Sequence, residues 1–137
     1  MTRKEAREQA FLLLFESVSR QDDNAQDIMD TAVSERDFAT NDYVKEVFFG
    51  VNEHLAEIEQ MMEECLVGWN KNRISITSMA ILRLGAFELL YKEDIPALVT
   101  INECVELSKK FDDEKTYTFV NGVLNALAEK CGKKNAK

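Results

Sequence analysis

Arg3, Lys4 and Arg7 are the residues whose type and spacing best suit a ligand. On a helix Arg3 and Arg7 stand four apart, and Lys4 and Arg7 three apart. The three cations therefore share adjacent parts of one surface. Such a cluster can meet several phosphates and orient a nucleic-acid strand. Basic N-termini are common, however, and a merely solvated surface is the competing reading. A second group lies toward the other end of the chain. Lys115, Phe119 and Gly122 fall at spacings of four and three, off the apolar stripe of their segment. An exposed aromatic ring beside a cation can stack on an unpaired base. A mid-helix glycine costs about 1 kcal/mol against alanine, which hints at a close approach by another chain or backbone. The alternative is that Phe119 packs under a long helix and Gly122 only lets helices pack tightly.

Little else in the chain suggests chemistry. The single histidine, His54, lies among glutamates and reads as a surface or boundary residue. Cys65, Cys104 and Cys131 are odd in number and widely spaced, so they fit neither a disulfide framework nor a zinc site. There is no glycine-rich phosphate loop, no HExxH and no nucleophile elbow. The expectation is a protein that works by binding, with no cofactor, no metal and no catalytic activity.

These residues must be positioned by helices. The chain of 137 residues contains one proline and five glycines, too few breakers for a sheet with many turns. Residues 3–18 predict a first helix, with Ala6, Ala10, Phe11, Leu13, Leu14 and Val18 inward. It is apolar all round from Ala10 to Phe15, which places it deep in the domain. A second helix is predicted over 25–36, capped by Asp23 or Asn24, with Ile28, Ala32 and Val33 inward. Asn41-Asp42 opens a long third helix. Its apolar seam runs Val44, Phe48, Val51, Leu55, Ile58, Met62, Cys65, Trp69 at alternating spacings of four and three. A basic loop, Gly68 to Arg73, precedes a fourth helix capped by Ser75 or Thr77 and reaching Tyr91 or Lys92. That helix is apolar on nearly every side and is expected at the centre. Arg83 lies in one of its apolar stripes and needs an acid partner, with Glu103 or Glu106 as candidates. After Asp94-Ile95-Pro96, a fifth helix is predicted over 98–111, with Ile101, Val105, Leu107 and Phe111 as its apolar residues. A sixth is predicted over 114–131, with Tyr117, Val120, Leu124, Leu127 and Cys131 inward. The expected organisation is one all-α domain over 1–132 and a flexible basic tail over 133–137.

The charge is unevenly spread. The net value is −8. Residues 21–67 alone carry thirteen acids against Arg36 and Lys45. Excess positive charge gathers at both ends and in residues 68–92. An acidic middle keeps most of the surface away from polyanions. No apolar run approaches the roughly 20 residues of a membrane span, and the N-terminus lacks a signal-peptide pattern, so a cytoplasmic protein is expected.

Several stretches together resemble the NusB family of transcription antitermination factors. They are Arg3–Phe15 (RKEAREQAFLLLF), Asp42-Tyr43 through Gly50-Val51, Ala80–Leu84 (AILRL) with Phe87–Leu90, Asp94-Ile95-Pro96, Ile101-Asn102-Glu103 with Val105-Glu106-Leu107, and Phe119–Leu124 (FVNGVL). They occur in the family's order and cover nearly the whole chain. The resemblance implies an all-α NusB-type fold of six to seven helices in two packed small bundles. It implies binding of boxA RNA together with NusE, a small-subunit ribosomal protein. That pair joins an RNA polymerase antitermination complex with other Nus factors, notably during ribosomal RNA synthesis. It assigns RNA contacts to Arg3, Lys4, Arg7, Phe111, Lys115, Phe119 and Gly122, and NusE contacts to Phe15, Arg73 and Ser78. Relatives of this kind often carry a denser arginine run, so weaker RNA binding by the lone protein is expected. They often carry an acid at the Ser78 position, so an ion pair to NusE there is in doubt.

On this reading Arg7→Ala and Phe119→Ala should each weaken boxA binding and leave the fold intact. Two rival readings remain. One is a protein-interaction module, or a homodimer through the seam of the third helix. The other is a domain accessory to an RNA methyltransferase, although the chain has no glycine-rich cofactor loop.

Overall fold

The computed structural model describes residues 1–66, 68 and 71–133, with the backbone alone at Lys71. Among these, seven α-helices are present: α1 (Arg3–Ser19), α2 (Ala25–Arg36), α3 (Asp42–Glu53), α4 (Leu55–Cys65), α5 (Ile76–Tyr91), α6 (Ala97–Phe111) and α7 (Thr116–Lys130). A 3₁₀ turn at Lys71–Arg73 leads into α5. Trp69 and residues 134–137 lie outside the described residues.

Helix α1 begins with a reciprocal cap. The Thr2 hydroxyl accepts from the Glu5 backbone N–H, and the Glu5 carboxylate accepts from the Thr2 N–H. Glu5 dilutes the charge of the basic cluster, but it also fixes the point where that cluster starts. The hydrogen bonds from Thr2 hold its carboxyl below its ordinary value. Asn24 caps α2, Asn41 caps α3 and Ser75 caps α5.

Helix α5 is the hub. It packs against α1, α3, α4, α6 and α7. A helix that is apolar all round has no face to give to solvent, so it takes the centre. Helices α1, α2 and α3 pack together on one side, and α4, α6 and α7 surround the other. One core runs through both groups, from Phe11 and Leu14 through Ile81 and Leu84 to Leu124 and Leu127.

The expected long third helix is two helices. The chain bends at His54, whose backbone leaves the helical range and whose ring stacks on Tyr91 at 4.4 Å. The bend lets α3 lie on α1 and α5 while α4 lies on α5 and α7. The seam survives it: Val44, Phe48, Val51, Ile58 and Met62 are all buried within the chain. That cover removes the route to a homodimer through this seam.

Arg83 pairs with neither expected acid. Its Nη2 donates to Glu59 of α4 at 2.9 Å. The reason is rotational. Met79, Arg83 and Phe87 share the side of α5 that faces α3 and α4, and the Phe87 ring lies on Gly50 of α3. The side facing α6 is filled by Ile81, Gly85 and Glu88. Glu103 turns toward Arg7 and Glu106 toward Lys109 instead. Two residues read as inward are also exposed: Val33 on α2 and Tyr117 on α7. Met29 fills the place expected of Val33. Lys133, assigned to the flexible tail, is docked. Its ammonium donates to the carbonyls of Glu88 and Lys92 at the end of α5, at 3.1 and 2.6 Å.

Candidate nucleic-acid interface

The basic cluster on α1 is split by burial. Arg3 and Lys4 are exposed. Arg7 is only 5% exposed and points into the domain. Its Nε donates to Glu88 Oε2 at 2.8 Å and its Nη2 to Oε1 at 3.3 Å. Glu88 is fully buried and also accepts from the Tyr43 hydroxyl and from Thr100 Oγ1. Four helices, α1, α3, α5 and α6, thus meet on one carboxylate. Burial pulls the Arg7 guanidinium down, but the hydrogen bond and charge of Glu88 outweigh it and hold it above its ordinary value. Burial, then the Glu88 charge, pushes the Tyr43 phenol up, so it remains a donor. Arg7 is therefore a structural cation, and the expectation that it faces RNA is corrected. Its pairing explains the burial, because an unpaired guanidinium would not stay there.

Arg7 still serves the surface indirectly. It braces Tyr43, over whose ring Arg3 lies at 4.4 Å. Lys4 borders a groove of about 310 Å³ between α1 and α6, together with Lys109 and Lys110. Glu8, Glu103 and Glu106 line the same groove, and Lys110 is paired with Glu8.

A larger cavity, about 690 Å³, lies where α5 and α7 begin. Arg73, Ser78, Lys115 and Phe119 all line it, with Ile74 and Thr118. Residues expected at two separate sites, one for RNA and one for NusE, thus border one depression. Phe119 is half-buried and packs against the core from its edge, so part of its ring reaches solvent. No side chain caps α7, so the depression also receives the positive end of a helix.

Ser78 does not present itself to a partner. It is buried, and its hydroxyl donates to Asp112 Oδ2 at 3.0 Å. The Ser75 hydroxyl donates to the same oxygen at 2.8 Å. The carboxylate at this place comes from the end of α6, not from α5. No sequence signal pointed to Asp112, because it follows the last apolar residue of its helix like any loop acid. Phe111, expected to contact RNA, packs against Phe11 with ring centroids 4.9 Å apart and is half-buried. Phe15 is 36% exposed and continues that aromatic row toward the surface.

Gly122 is exposed, and a Cβ there would meet nothing within 4 Å. Tight packing between helices therefore does not explain it. Gly122→Ala should stabilise the fold by about 0.5–1 kcal/mol, because it removes backbone entropy at no steric cost. Urea denaturation checks this; a lower midpoint than wild type would contradict it.

Comparison with known proteins agrees with this architecture. The family model described as the NusB family matches residues 4–129. The chain is 39% identical over 127 residues to the transcription antitermination protein NusB of Bacillus subtilis, covering 93% of this chain and 95% of that one. The solved structure of T. maritima NusB superposes with a TM-score of 0.82 at 31% identity, covering 95% of this chain and 92% of that one. A crystal structure of antitermination factors NusB and NusE in complex with dsRNA gives a TM-score of 0.81 at 31% identity, covering 93% and 96%. The chain belongs to the NusB family.

Proposed function

We propose that this chain is a transcription antitermination factor that binds boxA RNA jointly with NusE and so helps load an antitermination complex on RNA polymerase. It works by assembly, without catalysis, in the cytoplasm. No helix among the described residues is long and apolar enough to cross a membrane. The observation that carries the reading is the shared cavity. Lys115 and Arg73 supply cations and Phe119 supplies a ring edge; Asp112 is tied to the cavity through Ser78, and Phe15 lies beyond it along the row Phe111, Phe11, Phe15. The related NusB–NusE–RNA complex gives both partners a precedent in the family.

The division of labour follows from the chemistry. Phosphates meet Lys4, Arg3 and Lys115, and an unpaired base stacks on Phe119. NusE meets the apolar Phe15 and, at its rim, Arg73 and Asp112. Only a few exposed cations serve a chain of net charge −8, so NusE must supply part of the affinity.

Phe119→Ala should weaken binding of boxA RNA, with NusE present, by about 1–3 kcal/mol. Fluorescence anisotropy with labelled RNA measures it. An unchanged affinity for both Phe119→Ala and Lys115→Ala would remove the cavity from the RNA site.

A further inference from the structure

Tyr117 has no role in the site described above. It is 38% exposed at the start of α7, although its spacing puts it on the inward stripe. The Lys109 ammonium of α6 lies 4.8 Å from the centre of its ring. Lys109 also lines the groove that Lys4 borders. One lysine thus joins the cations of α1 to the first turn of α7. Phe119 lies two residues further on, at the edge of the larger cavity.

The charge of α7 itself favours a polyanion. From Lys115 to Ala128 the sequence contains no acid, in a protein where acids outnumber bases 25 to 17. The exposed residues of that stretch include Lys115, Tyr117, Thr118, Asn121 and Gly122. The opposing acids are Glu8 and Glu106, paired with Lys110 and Lys109, Glu103, 4.0 Å from Arg7, and the exposed Asp113 and Glu114 just before Lys115. The Glu106–Lys109 pair, 3.7 Å apart, is an exposed one that salt and water screen.

We propose that Tyr117 and Lys109 form a second RNA contact. The Tyr117 ring takes an unpaired base, and the Lys109 ammonium takes an adjoining phosphate. The strand then runs from Lys4 and Arg3, past Lys109 and Tyr117, to Lys115 and Phe119. Gly122, with open space where a side chain would stand, leaves room for the strand beside α7. An aromatic ring held by a cation is a preorganised stacking platform, since its orientation is set before the base arrives. This inference rests on the RNA-binding reading above and adds residues to it.

The test uses the full chain with NusE and a labelled single-stranded boxA RNA. Tyr117→Ala should lower affinity about ten-fold, within the range expected of one stacked base, and Tyr117→Phe should keep it. Lys109→Ala should reduce the slope of log affinity against log salt by about 0.7, the value for one phosphate contact on a single strand. Boxa RNA carrying 5-iodouridine should cross-link to Tyr117 in the wild-type protein, which decides the matter even if a variant folds poorly. A duplex of the same sequence should bind Tyr117→Ala and wild type alike, because paired bases cannot stack on the ring. Wild-type affinity in Tyr117→Ala, no cross-link, or an equal loss on duplex RNA would overturn the proposal. If Phe119→Ala still weakens binding in that case, the RNA-binding reading stands and only this contact falls. If the wild-type complex does not bind boxA RNA at all, the reading falls and takes this contact with it.

Discussion

Arg7→Ala is expected to destabilise the fold by about 3–5 kcal/mol, the usual cost of removing one partner of a buried ion pair. For a domain of this size that is a fall in Tm of roughly 10–17 °C. The loss is large because of what remains. Glu88, fully buried, would keep Tyr43 and Thr100 as neutral donors but lose its bidentate cation. Glu103, 4.0 Å from Arg7 Nη1, is half-exposed and can turn to water, so it contributes little to the penalty. Arg7→Lys should fall between wild type and Arg7→Ala, since a point charge cannot reproduce the two-pronged contact. The double variant Arg7→Ala/Glu88→Ala should cost less than the two single changes added together, because each removes the reason for the other's loss. Calorimetry or thermal circular dichroism reads wild type, Arg7→Ala, Arg7→Lys, Glu88→Ala and the double variant. A Tm for Arg7→Ala within a couple of degrees of wild type would show that the pair does not hold the four helices. Where Tm falls as expected, an RNA-binding defect in this variant follows from a loosened α1; where it does not, the defect points to Arg7 acting from the groove that it borders with Lys4.

Gly50→Ala should destabilise by about 1–3 kcal/mol even though alanine is the better helix former by about 1 kcal/mol. An added Cβ would lie 2.3 and 2.5 Å from two carbons of the Phe87 ring, far inside the 3.5–4.0 Å of normal contact. The ring cannot easily retreat. Phe87 is 5% exposed, and its centroid is 5.3 Å from that of Tyr91, which stacks on His54. Either α3 moves away from α5 or the aromatic row repacks. Phe87→Leu in the Gly50→Ala background should recover part of the loss by vacating the ring's outer carbons. The urea midpoint checks both, and a Gly50→Ala midpoint at or above wild type would exclude the close approach. The same substitution is expected to have opposite signs at Gly50 and Gly122, so the pair also controls for helix propensity.

Much of the architecture was legible in residue spacing. The periods of α1, α5, α6 and α7 placed those helices within a few residues of their observed ends, because burial of an apolar stripe is a local property of sequence. The central position of α5 was legible for the same reason: a helix apolar on every side has nowhere else to go. The bend at His54 was not. Neither proline nor glycine marks it, and the seam keeps its spacing across it. It arises because α3 and α4 satisfy different neighbours, and sequence does not say which neighbour a face will meet.

The same limit governs the binding residues. Sequence chose the chemical types of the interface: cations at the start of α1, and Lys115, Phe119 and Gly122 on α7. The tertiary structure decided which of them reach solvent. Arg3, Lys4 and Arg7 lie within two helical turns, yet Arg7 is buried because Glu88, 81 positions away, awaits it. Ser78 became the anchor of a carboxylate from α6 instead of a contact in its own right. Tyr117 left its stripe to meet Lys109. Helical periodicity fixes the direction of a side chain relative to its own axis. Only packing fixes what lies in that direction, and for a charged or aromatic group this decides between a structural tie and a ligand contact.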